Sequence, residues 1–335
     1  MDTGIAAELA EQVSRALADA TGVETLRALE SGAFPEGAWT ALDGLGLATA
    51  LVPEDQGGAG LGFQDAMPLL EALGRAGAPV PLAEGIAAAA LLSAAGITPP
   101  DGTLTFASAG APVPWGRHAA HMVLVDGARV ALYPAASLRW AEGTNIGREP
   151  RDTATVTGTP LAEGTLPNGW GAEAALLLTA LLRSAQIAGA MSAALALAVE
   201  HANTRKQFGR PIGRFQAVQQ QLAVFAAETS AASVAAAAAA RAADRRGLAG
   251  AAFEIGCAKV TAGEAAAKGA AIAHQVLAAM GITEEHALHH LTRRLWSWRD
   301  EGGSERLWSA RIGATAQAGG HLWTFLTSRD EDTTA

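Results

Sequence analysis

From about residue 170 almost to its end the chain repeats apolar residues at spacings of three and four, and no other feature restricts its fold so strongly. The periodic segments fall near 171–206, 214–246, 249–281, 283–297 and 304–327. Their connections are short, so consecutive helices must turn back on one another, which predicts an antiparallel bundle. The run SAASVAAAAAARAADRR inside this region looks like low complexity. Alanine has the highest helix propensity, however, and its methyl group lets helices approach closely, so the run is expected to be a buried bundle helix. Residues 1–100 also read as helices, in AAELAEQVSRALADA, EGAWTALDGLGLA, QDAMPLLEALGRAG and PLAEGIAAAALLSAAG, divided by Gly and Pro. Residues 101–169 shift to Thr, Val, Pro and Gly, and the short runs TLTFAS, HMVLVDG, RVALYP and TATVTGT predict strands. The expected architecture is mostly α with a small central β domain: an N-terminal helical domain over 1–100, a β domain over 101–169 and a C-terminal helix bundle over 170–330. No internal repeat of fixed period is present.

Half of the 335 residues are apolar and 17% are charged, enough to bury a sizeable core. The net charge of −9 argues against a broad electrostatic grip on nucleic acid, which needs surplus Lys and Arg. Cys257 is the single cysteine, which excludes an internal disulfide, fits a reducing compartment and reads as a small core residue. Residues 1–20 carry acids and an amphipathic pattern where a signal peptide would be basic and then continuously apolar. The most apolar segments, around 85–96 and 171–192, are short or broken by Glu173 and Arg183, below the roughly 20 apolar residues that span a bilayer. A cytoplasmic protein with no membrane and no nucleic-acid partner is expected.

Residues 201–223, HANTRKQFGRPIGRFQAVQQQLA, are too particular for packing alone. The pattern Arg-x-Gln-Phe-Gly-x-Pro-Ile…Phe-Gln, set in the order helices, β domain, bundle, resembles the flavin-dependent acyl-CoA dehydrogenase family. The similarity extends to LVPEDQGGAGLGFQDAMPLLEALGRAGAPVP and AHQVLAAMGITEEHALHHLTRRLWSWRDEGGSERLWSARIG, and covers roughly two thirds of the chain. The resemblance implies FAD, an acyl-CoA substrate and an oligomer in which Arg205, Phe208 and Gln216 hold the adenine and pyrophosphate end of a neighbour's FAD. A guanidinium offers several donors to pyrophosphate oxygens and a Phe packs against an adenine face. From the residues alone the alternative is a capped helix end, with Arg205 solvated and Phe208 in the core. Gln219, Gln220 and Gln221 read as a polar bundle face. Gln275 matches a family glutamine that touches the nucleotide, but the two glycines that usually follow are Ala278 and Ala279, whose methyls narrow the approach.

Dehydrogenation of an acyl thioester needs a base to take the α proton while the β hydrogen leaves as hydride, and a carboxylate in a water-poor site can serve. The resemblance aligns Glu301, in RDEGGSERLWSARIG, with the family's base, Asp300 being its neighbour; the family's Thr becomes Gly303. The alternative is a solvated acid ahead of an N-cap at Ser304. His286 and His290, at i and i+4, form a weak metal pair without a third ligand. Trp296, Trp298 and Trp308 read as domain or subunit packing, with Trp298 a candidate for the acyl pocket. The β domain is shortened relative to the family and lacks its flavin-ring segments. Two functions follow: an FAD-dependent acyl-CoA dehydrogenase whose active site is completed at a subunit interface, as a homo-oligomer or hetero-oligomer, or a non-catalytic or half-catalytic partner that completes the FAD site of a larger homologue.

Overall fold

A computed structural model of the chain describes residues 3–18, 22, 26, 27 and 30–327. Helices α1 (Thr3–Ala18), α2 (Glu36–Asp43), α3 (Phe63–Ala76) and α4 (Leu82–Ala94) precede seven strands. The bundle follows as α5 (Ala174–Thr204), α6 (Gln216–Gly250), α7 (Ala252–Leu277), α8 (Leu288–Asp300), α9 (Glu305–Ala318) and α10 (Leu322–Thr327). The architecture is mostly helical around a small β domain, as the sequence predicts.

Strands β1 (Leu104–Ser108), β3 (His121–Asp126), β4 (Arg129–Pro134) and β7 (Ala162–Thr165) form one sheet in that order. Its β1–β3 pair is parallel and the others are antiparallel. Strands β2 (Val113–Pro114), β6 (Arg151–Val156) and β5 (Leu138–Ala141) form the other. Alternate residues divide the first sheet between two cores. Phe106, Val123, Val125, Val130 and Leu132 join the main helical core, while Ala107, Met122, Ala131 and Tyr133 pack toward Val113 and Leu138 of the second sheet. Covering both faces explains why these strands read as nearly continuous apolar runs.

Helix α5 is the axis of the bundle, buried almost all round from Ala174 to Met191. It meets α3 at a pair of glycines: a methyl built on Gly74 would overlap the Gln186 carbonyl, and one on Gly189 the Glu71 carbonyl. Asp244, on α6, accepts hydrogen bonds from Phe63 N (2.6 Å) and Gln64 N (2.9 Å), so the start of α3 is capped from a distant helix rather than by its own sequence. Gly247 has φ 73° and breaks the helical path between the two predicted segments at that point. The alanine run is only half buried: Ala232, Ala236, Ala239, Ala240, Ala242 and Ala243 are in the core, whereas Val234 is 68% exposed. The bilayer expectation also needs correcting. By length and composition Ala174–Thr204, Gln216–Gly250 and Ala252–Ile282 are each able to cross a membrane, because alanine counts as apolar over long stretches. In α5 that character is used inside the fold, where 89% of its most apolar window is buried.

Alanine normally favours a helix over glycine by about 1 kcal/mol. At the α3–α5 crossing the sign should reverse: Gly74→Ala and Gly189→Ala are each expected to destabilise by about 1–3 kcal/mol through overpacking, read as a lower Tm.

Candidate functional site

Helix α5 stops at Thr204, where Arg205 leaves the helical region at φ −69° and ψ 122°. The chain then makes a two-residue hairpin, Lys206–Gln207 paired with Arg210–Pro211. Its turn residues, Phe208 and Gly209, both have positive φ (50° and 77°), the geometry that matches strand twist in tight hairpins. Ile212 N donates to Arg205 O at 2.8 Å and closes the corner. Phe208 is therefore held out of the core, 92% exposed, and touches its own chain edge-on at Phe215. This corrects the alternative of a core Phe208: a two-residue turn with left-handed backbone has no buried side to give it. Arg205 is exposed and makes no side-chain hydrogen bond or ion pair among the described residues.

A cavity of about 520 Å³ lies between this hairpin and the end of α7, lined among others by Arg205, Gln207, Phe208, Gln221, Gln275 and Met280. Three of the four predicted nucleotide-holding residues thus converge, and Gln275 is exposed on the facing wall. Gln216 is exposed at the first position of α6 and does not line the cavity. Gln221, read from the sequence as bundle surface, does line it, while Gln219 donates to Gly213 O at 2.9 Å and braces the corner. Ala278 keeps a glycine-like backbone, φ 50° and ψ −134°, despite its methyl. The cavity, the unpartnered guanidinium and the uncovered Phe ring fit the nucleotide end of a dinucleotide such as FAD.

The second cluster is internal. Glu301 follows α8, and its carboxylate is engaged by four nitrogen donors: Arg151 Nε (2.8 Å) and Nη2 (2.9 Å), Arg183 Nε (2.8 Å) and Asn145 Nδ2 (3.0 Å). Arg183 also holds Glu84 Oε1 at 2.5 Å, and Arg151 holds Glu149 Oε2 at 3.0 Å. Burial by itself would raise the Glu301 pKa, but the charges of Arg151 and Arg183, with hydrogen bonds from Arg151 and Asn145, hold it at about 2. A base works best with a pKa near the operating pH, so in this arrangement Glu301 is a poor proton acceptor. It borders a cavity of about 550 Å³, lined also by Phe106, Ile146, Leu176, Thr179 and Asp300.

The turn after Glu301 is fixed by two glycines with φ 70° and 95°. A Cβ on Gly302 would lie 2.6 Å from Ala180 N, and one on Gly303 2.7 Å from Trp308 Nε1, so the threonine of the family pattern has no room here. Ser304 is the N-cap of α9, its hydroxyl accepting from Leu307 N at 3.4 Å. Trp298 is buried and donates to Glu149 Oε2 at 3.1 Å, so it joins bundle to β domain and does not line the cavity at Glu301. His286 and His290 have separate partners: His286 Nδ1 accepts from Leu288 N at 3.1 Å, and His290 Nδ1 lies 2.5 Å from Glu30 Oε1. Among the described residues, the ligand atoms that do converge, within 4.8 Å, belong to Glu30, His289 and His290. Arg293 and Arg294 reach the same Glu30 carboxylate, which sets two cations against any metal there.

Of the residues that sequence reasoning missed, Arg151, Arg183 and Glu84, the last two had a signal. Arg183 and Glu84 stand alone in apolar helical runs, and a charge in such a place has to be paired.

The N-terminal domain model of acyl-CoA dehydrogenases matches residues 6–97 and the C-terminal domain model residues 168–316. The chain belongs to the acyl-CoA dehydrogenase family. It is 30% identical over 322 residues to acyl-CoA dehydrogenase IpdE2 of Mycobacterium tuberculosis, covering 90% of this chain and 93% of that protein. Acyl-CoA dehydrogenase FadE34 of the same organism is 32% identical over 91% of this chain, which spans only 46% of FadE34. Among solved structures, a variant of the Tcur3481-Tcur3483 steroid ACAD superposes with TM-score 0.83 and 25% identity, covering 95% of this chain and 99% of that one. The ChsE4-ChsE5 complex from Mycobacterium tuberculosis shares the fold at TM-score 0.83 and 22% identity, covering 96% of this chain and 100% of that one. Membership in this family implies an FAD-dependent oxidoreductase.

Because the folded pKa of Glu301 is depressed from 4.5 to about 2, its contribution to stability is present above the unfolded value and lost as pH falls through that interval. Glu301→Gln should leave Arg151 and Arg183 short of a counter-charge, cost about 3–5 kcal/mol at neutral pH, and flatten the acid limb of a Tm–pH curve between those values. At the cavity edge Ala278→Gly should relieve the positive φ and stabilise by about 1 kcal/mol, measured by denaturant unfolding.

Proposed function

We propose that this chain is a subunit of an FAD-dependent acyl-CoA dehydrogenase and contributes the outward-facing edge Arg205–Phe208–Gln275 to an FAD site completed by a larger homologous subunit. The observation that carries this reading is the 92% exposure of Phe208 on a rigid hairpin beside an unpartnered Arg205. An aromatic ring fixed in solvent gains nothing until another surface covers it. In the complex Arg205 would donate to pyrophosphate oxygens, Phe208 would cover one face of the adenine, and Gln275 would hydrogen-bond the nucleotide from the opposite wall. Bound FAD supplies the acceptor for the two electrons taken from the acyl thioester. The base would come from the larger subunit, since Glu301 already binds two guanidinium groups. The names of the Tcur3481-Tcur3483 and ChsE4-ChsE5 assemblies, each carrying two proteins, support a paired arrangement.

A second reading makes the chain catalytic, with Glu301 as base in a homo-oligomer. It is favoured by the position of Glu301 at the edge of a 550 Å³ cavity. It requires the carboxylate to leave Arg151 and Arg183, each of which would keep another glutamate partner, Glu149 and Glu84.

Flavin absorbance per chain separates the two. Flavin is expected only after mixing with the larger homologue, and stoichiometric FAD on the lone chain would reject the partner reading. In the mixed complex Arg205→Ala and Phe208→Ala should each weaken FAD retention about tenfold, the scale of one charge-assisted bond or one stacking contact, with the Tm of the isolated chain unchanged.

A further inference from the structure

The cavity beside the 205–216 corner leaves a charge unanswered. Among the described residues that line it none is acidic, and Arg205 is the one permanent cation. The pyrophosphate of a dinucleotide carries two negative charges, neither of which titrates near neutral pH. The cavity also lies against the carbonyl end of α5, which stops at Thr204 and whose dipole disfavours an anion. The other cations of the corner do not make up the difference. Arg210 stacks on Phe215, 4.4 Å from the ring centre, and Lys206 and Arg214 are exposed outside the cavity.

His201 is the remaining basic group on the cavity wall. It sits in the last turn of α5, and Arg205 N donates to His201 O at 2.9 Å. Helical register therefore persists up to Arg205, and residues at i and i+4 share a face. The imidazole is half-buried and, among the described residues, makes no hydrogen bond or ion pair. The titratable groups around it are Arg205, Glu200 beside it on the helix, and His286 ahead of α8, whose Nδ1 is taken by Leu288 N. From α6 and the end of α7 the wall receives only neutral residues, Gln221 and Gln275 among them. Burial, and then the charge of Arg205, push the His201 pKa below its ordinary value. Without an anion beside it the ring is thus neutral at neutral pH, and an anion favours its protonated form.

We infer that His201 is a second phosphate-binding group of this edge, one that takes up a proton as the pyrophosphate of FAD binds. The inference rests on the reading of this edge as a nucleotide site. A neutral imidazole one turn from a guanidinium avoids the repulsion of two fixed cations, and protonation then supplies the missing charge where the anion needs it. Retention of the nucleotide is linked to pH as a result. A group whose pKa is raised by binding makes affinity fall as pH rises through the bound-state value. Each unit of that rise is worth about a factor of ten in affinity.

The test dilutes the flavin-loaded complex of this chain with its larger homologue and measures free FAD after ultrafiltration; if the lone chain carries the flavin, it goes through the same series. FAD should be held about tenfold more weakly at about pH 8 than at about pH 6. His201→Gln, which keeps a hydrogen-bond donor but cannot charge, should show the weaker retention at both values. His201→Lys, with a permanent charge, should show the tighter retention at both. Retention independent of pH in the unaltered protein, or a pH dependence that survives in His201→Gln, overturns the inference. If Arg205→Ala still weakens FAD in that case, His201 alone is rejected; if Arg205→Ala changes nothing, the nucleotide reading of the edge fails with it.

Discussion

The Glu301 carboxylate is where separate parts of the chain are tied together. Asn145 and Arg151 reach it from the β domain and Arg183 from the centre of α5, while Arg183 also grips Glu84 of α4 and Arg151 grips Glu149. Burying such ions costs several kcal/mol each, and only their mutual pairing repays it, so the network forms as a whole or not at all. That property orients the β domain. Its 142–150 loop is pinned further by Gly147 N on Ser297 Oγ at 2.8 Å and by Trp298 on Glu149. An acid placed where the family pattern expects a base is the centre of this ion-pair network.

Pinning this loop has consequences on both of its sides. Thr144, Asn145 and Ile146 border the cavity next to Glu301, and Arg148 borders a second cavity, of about 610 Å³, lined also by His274 and Trp296. Glu149 lies between, held by Arg151, Trp298 and, at 3.4 Å, Arg294. Arg294 also reaches Glu30, so a continuous series of ion pairs connects the two cavities.

The outward edge follows a different rule. The interior buries its charges in pairs, whereas the 205–216 corner holds Phe208 and Arg205 in solvent on a hairpin closed by backbone bonds. Val224 and Val234 on α6 are also exposed. An edge held by backbone bonds loses little entropy on association, as the proposed subunit contact requires.

Helix order, the small β domain and the particular residues of the 205–216 corner were legible in the sequence, because 3.6-residue periodicity, strand composition and turn chemistry act over a few residues. So was the break at Gly247. The alanine run was readable as helix but not as half-exposed helix, since identical methyls on every face carry no record of which face is covered. That Gln221 and not Gln216 lines the cavity has a similar reason: which of four glutamines looks into it depends on the angle at which α6 leaves the corner. The state of Glu301 lay further out of reach, because its partners are separated by as many as 156 positions and no local pattern links them. The sequence determined which segments are helices, which corner has residues too particular for packing alone and which family the chain resembles, all properties of neighbouring residues. Only the tertiary structure decided that Glu301 is an ion-pair centre and that Arg205 and Phe208 face outward, because electrostatic pairing and burial depend on distances that chain separation does not encode.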